Sequence, residues 1–243
     1  MLVKQFFLLL GERIETVAAQ QEKIQQAAGL CADALSQGRT IHVFDSGHLV
    51  SKELIHRAGG LVAMKALSLD QEVIQSATIP HDLPPAEDAA VSALVAHLVD
   101  TGQLRAGDVL FVGSVSGKTT NVVELAQQAR QHGLTVIAVT ALAYSSKLVS
   151  EHPSGKRLYE SADLVLDNGA PFGDAMLAVE GLDYPICPAS GIGAASMMWA
   201  VTAAIVEEML SRGLKPTVYP SINRPDGRNL VDQVEAQARQ KGY

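Results

Sequence analysis

Ser114, Ser116, Thr119 and Thr120 crowd around Gly117 and Lys118 in one short stretch of the chain. An apolar run, residues 109–112, stops at this stretch, and a helical pattern begins directly after it. The first N–H groups of a helix have no internal partner, and the helix dipole adds partial positive charge there. Hydroxyls gathered at such a point, with no cluster of arginines, suit a phosphate held by hydrogen bonds. A nucleotide-binding P-loop needs Gly, four residues, then Gly-Lys-Ser or Gly-Lys-Thr. Here Gly113 is followed by only three residues before Gly117, and Val112 stands where the earlier glycine belongs. A loop one residue short does not wrap a triphosphate in the same way, so a monophosphate is the expected ligand. The bland alternative is a hydroxyl-rich turn that caps a helix.

A second group of reactive side chains lies after the first strand pattern, residues 41–44. His48 ends that strand and opens a helix, at the edge where open α/β sheets take ligands. Glu53 lies just over one turn further and His56 three residues beyond it. Read as one helix continuing to Arg57, this places Glu53 and His56 on a common face. Such a pair can act as a base and its partner, or be a solvated surface pair. His152 falls in the loop after residue 140, at the same sheet edge. His42 lies inside a strand and reads as a core histidine, while His81, His97 and His132 read as loop or solvated helix residues. Asp167, Asn168, Gly169 and Asp174 read as an Asx-type turn or as contacts to sugar hydroxyls. Trp199 with Met197 and Met198 reads as core or subunit packing.

These residues need elements to hold them. Residues 2–37 read as helix, 61–67 as a second strand, 87–102 as helix, 119–132 as helix, 135–140 and 164–167 as strands. Residues 191–212 form a long apolar helix, 218–223 an extended piece and 228–241 a polar terminal helix. The segment 68–90, with Pro80, Pro84 and Pro85, reads as a loop. The strands are short apolar runs without polar alternation, as in a parallel sheet covered on both faces. At 243 residues and 47% hydrophobic content the chain has ample material for such a core. A net charge of −7 argues against broad nucleic-acid binding. Cys31 and Cys187 lack metal-type spacing and are too few for a disulfide framework, which points to a reducing cytoplasm. The apolar run at 6–10 is too short for a signal core, and prolines and glycines break the uncharged stretch 184–206. No membrane segment is expected.

The order Ser114-x-Ser116-Gly117-x-Thr119, after a strand and before a helix, resembles the phosphosugar loop of the SIS (sugar isomerase) family. The resemblance extends from about residue 40 to 240. It takes in residues 43–54, 57–60, 133–140, 152–158 and 162–175, which are similar to a group of small single-domain SIS proteins related to phosphoheptose isomerases. It implies that Ser114, Ser116 and Thr119 hold the phosphate, with Gly117 shaping the turn and Thr120 and Asn121 close by. It also implies a flavodoxin-like strand order, and a loop carrying His152 that reaches a ligand site, in such dimers a neighbour's. The chain departs from the group's Gly-x-Gly-His-Ser first loop. Asp45 and Leu49 stand at its first and last positions, so Ser46 or Ser51 is the candidate replacement for the missing serine.

The expected fold is therefore a three-layer α/β/α domain with a five-stranded parallel sheet. It has an N-terminal helical arm over 1–37, a core over 38–225 and a C-terminal helix over 226–243. The expected activity is aldose–ketose isomerisation of a sugar phosphate through an enediol, with Glu53 and either His48 or His56 moving protons. The alternatives are an amino-sugar phosphate lyase or etherase, and a sensor without catalysis. No visible basic helix-turn-helix segment supports the sensor. No cofactor is expected, and no metal, because the His-then-Glu spacing of metal-using phosphoheptose isomerases is absent. The expected partners are a sugar phosphate and further copies of the chain, as homodimer or homotetramer.

Overall fold

The computed structural model describes residues 1–46, 51–67 and 87–242. His48, His81 and most of the proline-rich segment lie outside the described residues. Five strands form one parallel sheet: β1 (Ile41–Asp45), β2 (Met64–Leu67), β3 (Val109–Gly113), β4 (Thr135–Thr140) and β5 (Leu164–Asp167), in the order β2-β1-β3-β4-β5. This is the flavodoxin-like order, and the chain reverses its direction of travel across the sheet between β1 and β3.

Alternate strand residues point to opposite faces, and both faces are apolar. On one side Ile41, Val43, Val109, Phe111, Ile137, Val139 and Leu166 pack beneath α2 (Gln21–Ser36) and α8 (Ser190–Ser211). On the other, Phe44, Leu110, Val112, Val136 and Ala138 pack beneath α4 (Glu87–Asp100), α5 (Thr120–Gln131) and α7 (Leu158–Ser161). The long α8 is apolar enough to cross a bilayer by composition alone. Its Ala194, Met197, Met198, Val201 and Ile205 are nevertheless fully buried in the core over the sheet.

Several boundaries differ from those the sequence suggests. The helix expected over 2–37 is two helices, α1 (Leu2–Ala18) and α2, broken at Ala19 and Gln20. Gln20 explains the break: its amide nitrogen donates to the Asp167 carbonyl at 2.7 Å and its amide oxygen accepts the Asp167 N–H at 2.9 Å. One side chain thus satisfies the edge of β5 as a neighbouring strand would.

The helix expected through Arg57 is a single turn, α3 (Ser51–Leu54). Residues 59–62 are instead drawn into pairing with 217–219: the Gly59 N–H donates to Tyr219, the Tyr219 N–H to Gly60, and the Val62 N–H to Thr217. Of the piece expected to be extended over 218–223, only 218 and 219 join this pairing, and residues 222–223 form a turn. A short turn of helix, α6 (Leu142–Ser145), falls in the loop expected after β4. An antiparallel pair, β6 (Ala175–Leu177) with β7 (Ile186–Pro188), and the terminal helix α9 (Gly227–Gln240) complete the described elements.

Candidate functional site

The crevice at the β1/β3 reversal is flanked by the two residues that leave those strands. Asp45 and Gly113 are register partners, and the Ser46 N–H donates to the Gly113 carbonyl at 3.0 Å. Ser46 and Ser114 therefore rise side by side from neighbouring strand ends. Ser46 is exposed, and Ser114 is buried with its hydroxyl accepting the Gly117 N–H at 3.3 Å. That bond closes the turn.

The turn is fixed from behind by the wall that follows β4. The Val115 carbonyl accepts from the Thr140 hydroxyl at 3.1 Å and the Ala141 N–H at 3.2 Å. The Gly117 carbonyl accepts the Leu158 N–H at 2.8 Å and the Lys118 carbonyl the Glu151 N–H at 2.9 Å. With these carbonyls committed to the wall, the open side of the turn presents N–H groups and hydroxyls, the polarity an anion needs. Gly117 sits at φ +57°, and a Cβ there would lie 3.0 Å from the Cβ of Leu158. Only glycine fits both the backbone and the gap. Thr119 occupies the N-cap position of α5 without capping it, and neither its hydroxyl nor that of Ser116 is engaged by another described residue. Both are half-exposed above the N-terminus of α5.

Three site expectations change with the geometry. Thr120 does not offer its hydroxyl to the open side, because it donates to the Glu151 carbonyl at 3.0 Å. His152 is turned inward: its Nε2 lies 2.8 Å from Glu124 Oε2, and its Nδ1 meets the Ser154 hydroxyl at 2.7 Å and N–H at 3.1 Å. The Ser154 N–H must donate to Nδ1, so the proton sits on Nε2 and points at Glu124. Burial pushes the Glu124 carboxyl up, but hydrogen bonds from Ser92, His152 and Gln128 outweigh it and hold the group below its ordinary range. His152 thus anchors the wall loop to α5. Glu53 and His56 do not share a helix face. Glu53 pairs with Arg57 at 3.1 Å, while His56, exposed and past the end of α3 at φ +56°, lays its ring 5.5 Å from Tyr219. Glu53 stays at the carboxyl edge, on the turn that follows β1.

The polar residues at and after the end of β5 act as caps. Asp167 Oδ1 accepts the N–H groups of Gly169 and Leu142, and Asn168 Oδ1 accepts that of Ala170. Asp174 accepts the N–H groups of Ala189 and Ser190 and the Ser190 hydroxyl, closing the start of α8. Lys118 pairs with Glu151 across the wall. That pair, and the Glu124–His152 pair, were invisible in sequence because their members stand about thirty residues apart with no local pattern to join them. Among the described residues no group of three or more His, Cys, Asp and Glu side chains is arranged to hold a metal ion.

Comparison with known proteins agrees with this architecture. A family model described as the SIS domain matches residues 5–141. A UPF0309 protein of Streptomyces coelicolor is 36% identical over 210 residues, covering 86% of this chain and 83% of its own. A UPF0309 protein of Geobacillus kaustophilus is 29% identical over 225 residues, covering 91% and 88%. The phosphoheptose isomerase of Neisseria gonorrhoeae superposes with a TM-score of 0.54 at 19% identity, covering 86% of this chain and 97% of that one. The Vibrio vulnificus NanR protein complexed with ManNAc-6P gives a TM-score of 0.51 at 13% identity, covering 99% and 69%. At these identities the solved structures attest the fold alone. The chain belongs to the SIS-domain family, within the group designated UPF0309.

Proposed function

We propose that this protein binds a sugar phosphate at the turn 114–119 and interconverts its aldose and ketose forms. The observation that carries the reading is the turn itself. Its Val115, Gly117 and Lys118 carbonyls are committed to the wall, its Ser116 and Thr119 hydroxyls have no partner among the described residues, and the N-terminus of α5 opens beneath them. Ser114 shapes the turn from within, Gly117 permits it, and Ser46 faces it from the end of β1. The solved structures with this fold include phosphoheptose isomerases and a protein complexed with ManNAc-6P, which supports a phosphorylated sugar as the ligand class.

In the proposed reaction Glu53 takes the proton from the carbon beside the carbonyl, and the carbonyl oxygen gains a proton, giving an enediol. Return of the proton to the former carbonyl carbon, with loss of the hydroxyl proton from the other oxygen to form the new carbonyl, completes the exchange without any cofactor. His48, by its place in the sequence, is the candidate to serve the oxygens. His56 serves there only if it leaves Tyr219. The protein is read as a cytoplasmic homodimer or homotetramer with neither nucleic acid nor membrane as partner.

A thermal-shift screen against C5–C7 sugar phosphates and amino-sugar phosphates tests this. Ligand at 100 times its dissociation constant stabilises by about 2.7 kcal/mol. Glu53→Gln is expected to keep the shift and lose turnover. Binding without turnover in the wild type favours the sensor reading, which the ManNAc-6P complex of a protein with this fold keeps in view. A melt that responds to ATP and to no sugar phosphate overturns the reading of the turn.

A further inference from the structure

We infer that Lys118 and Glu151 form a counter-charge latch on the anion site: Lys118 is parked on Glu151 in the free protein and transfers to the ligand's phosphate when it binds. This rests on the proposed sugar-phosphate site and adds a residue to it that the turn's hydroxyl pattern does not reveal.

Lys118 lies within the turn, between Gly117 and Thr119, and its ammonium contacts the Glu151 carboxylate. Glu151 is held against the turn independently of that contact. Its N–H donates to the Lys118 carbonyl at 2.9 Å, and its own carbonyl accepts the Thr120 hydroxyl at 3.0 Å. The Glu151 backbone therefore stays beside the turn whether or not Lys118 holds the side chain, which keeps the carboxylate within reach of it. The pair is half in solvent, with side-chain exposures of 36% for Lys118 and 50% for Glu151. Exposed pairs of this kind are weak and easily exchanged. A phosphate at the turn brings close to two negative charges where the carboxylate has one, so the ammonium on its flexible stem has a better partner.

The same geometry gives Glu151 a cost. With Lys118 transferred, an unpaired carboxylate remains next to a bound dianion, and like charges at short range oppose binding. No arginine is paired into this arrangement to offset it: Arg157 is committed to Glu160 and Arg130 to Asp163. The latch therefore sets affinity from both sides. Lys118 raises it in the complex, and Glu151 lowers it by competing for Lys118 in the free state and by repelling the phosphate in the bound one.

Calorimetric titration of the wild type, Lys118→Met and Glu151→Gln with inorganic phosphate and with fructose 6-phosphate tests the latch. Loss of a charge-assisted contact in Lys118→Met corresponds to weakening of about tenfold, with a shallower dependence on salt. Glu151→Gln keeps both backbone hydrogen bonds and is expected to bind several-fold tighter than the wild type. Lys118→Arg should recover most of the loss. Far-ultraviolet circular dichroism and melting curves establish that each variant is folded. If the wild type binds and Glu151→Gln binds no tighter, or Lys118→Met binds equally well, the latch is wrong while the site stands. If the wild type binds neither phosphate nor fructose 6-phosphate, the site reading itself fails and takes the latch with it.

Discussion

Gly117 is the residue on which the candidate site turns most sharply. Its φ of +57° costs a residue with a Cβ about 1–2 kcal/mol. The Cβ would also press on Leu158, whose N–H is bound to the Gly117 carbonyl. Gly117→Ala is therefore expected to lower the melting temperature by several degrees, at about 2–4 °C per kcal/mol for a chain of this size. The same change should abolish phosphate binding by opening the turn. Thr119→Ala makes the opposite test. Its hydroxyl caps nothing, so stability should hold while phosphate affinity falls. A Gly117→Ala protein that melts and binds as the wild type does would mean the turn is not the rigid cradle described.

At the scale of elements, one contact decides how α8 seats against the sheet. A Cβ on Gly193 would lie 1.9 Å from the Asn168 carbonyl oxygen, so the first turn of α8 touches the backbone after β5 directly. Asp174 then clamps the same end of the helix through Ala189 and Ser190. Gly193→Ala cannot be absorbed by a side-chain shift, because its neighbour is backbone. An expected loss of about 3 kcal/mol or more, beyond ordinary overpacking, is measured by urea unfolding, and a loss below about 1 kcal/mol would show that the helix end slides freely.

The sheet and this helix were legible in the sequence. The strands are short, mainly apolar runs, broken internally only by His42 in β1 and Lys65 in β2, and a parallel sheet buried on both faces demands such runs. The break at Ala19–Gln20 was not legible. Neither glycine nor proline marks it, and its cause is a hydrogen-bonded pair with Asp167, 147 residues away. The single turn of α3 escaped for the same reason, since pairing of 59–62 with 217–219 overrides the local helical pattern. The anion turn could be read because strand, hydroxyls, glycine and helix follow one another in order. Its wall could not, because Glu151, His152 and Leu158 reach it only through the fold.

At the scale of the whole molecule, α1 stands apart from the rest of the design. The helices α2, α4, α5 and α8 each bury a stripe, whereas α1 buries Val17 alone. Leu2, Val3, Phe7, Leu8 and Ile14 remain exposed along it, with Phe6 and Phe7 stacked edge to face at 5.2 Å. Burying a leucine or phenylalanine side chain stabilises by about 1.5–3 kcal/mol, so leaving this row in water is costly. A concentration of exposed apolar side chains on one helix is the mark of an interface. The occupant proposed is a second copy of the chain, since a row presented by each copy is self-complementary across a two-fold axis. Light scattering coupled to size-exclusion chromatography is expected to give a multiple of the 25.7 kDa chain mass. The double change Phe7→Glu and Leu8→Glu places two charges in the row and touches no buried residue of the core. It should shift the assembly toward smaller species while leaving the helical circular dichroism unchanged. An unaltered mass in that variant would place the subunit interface elsewhere and leave the exposure of α1 without this explanation.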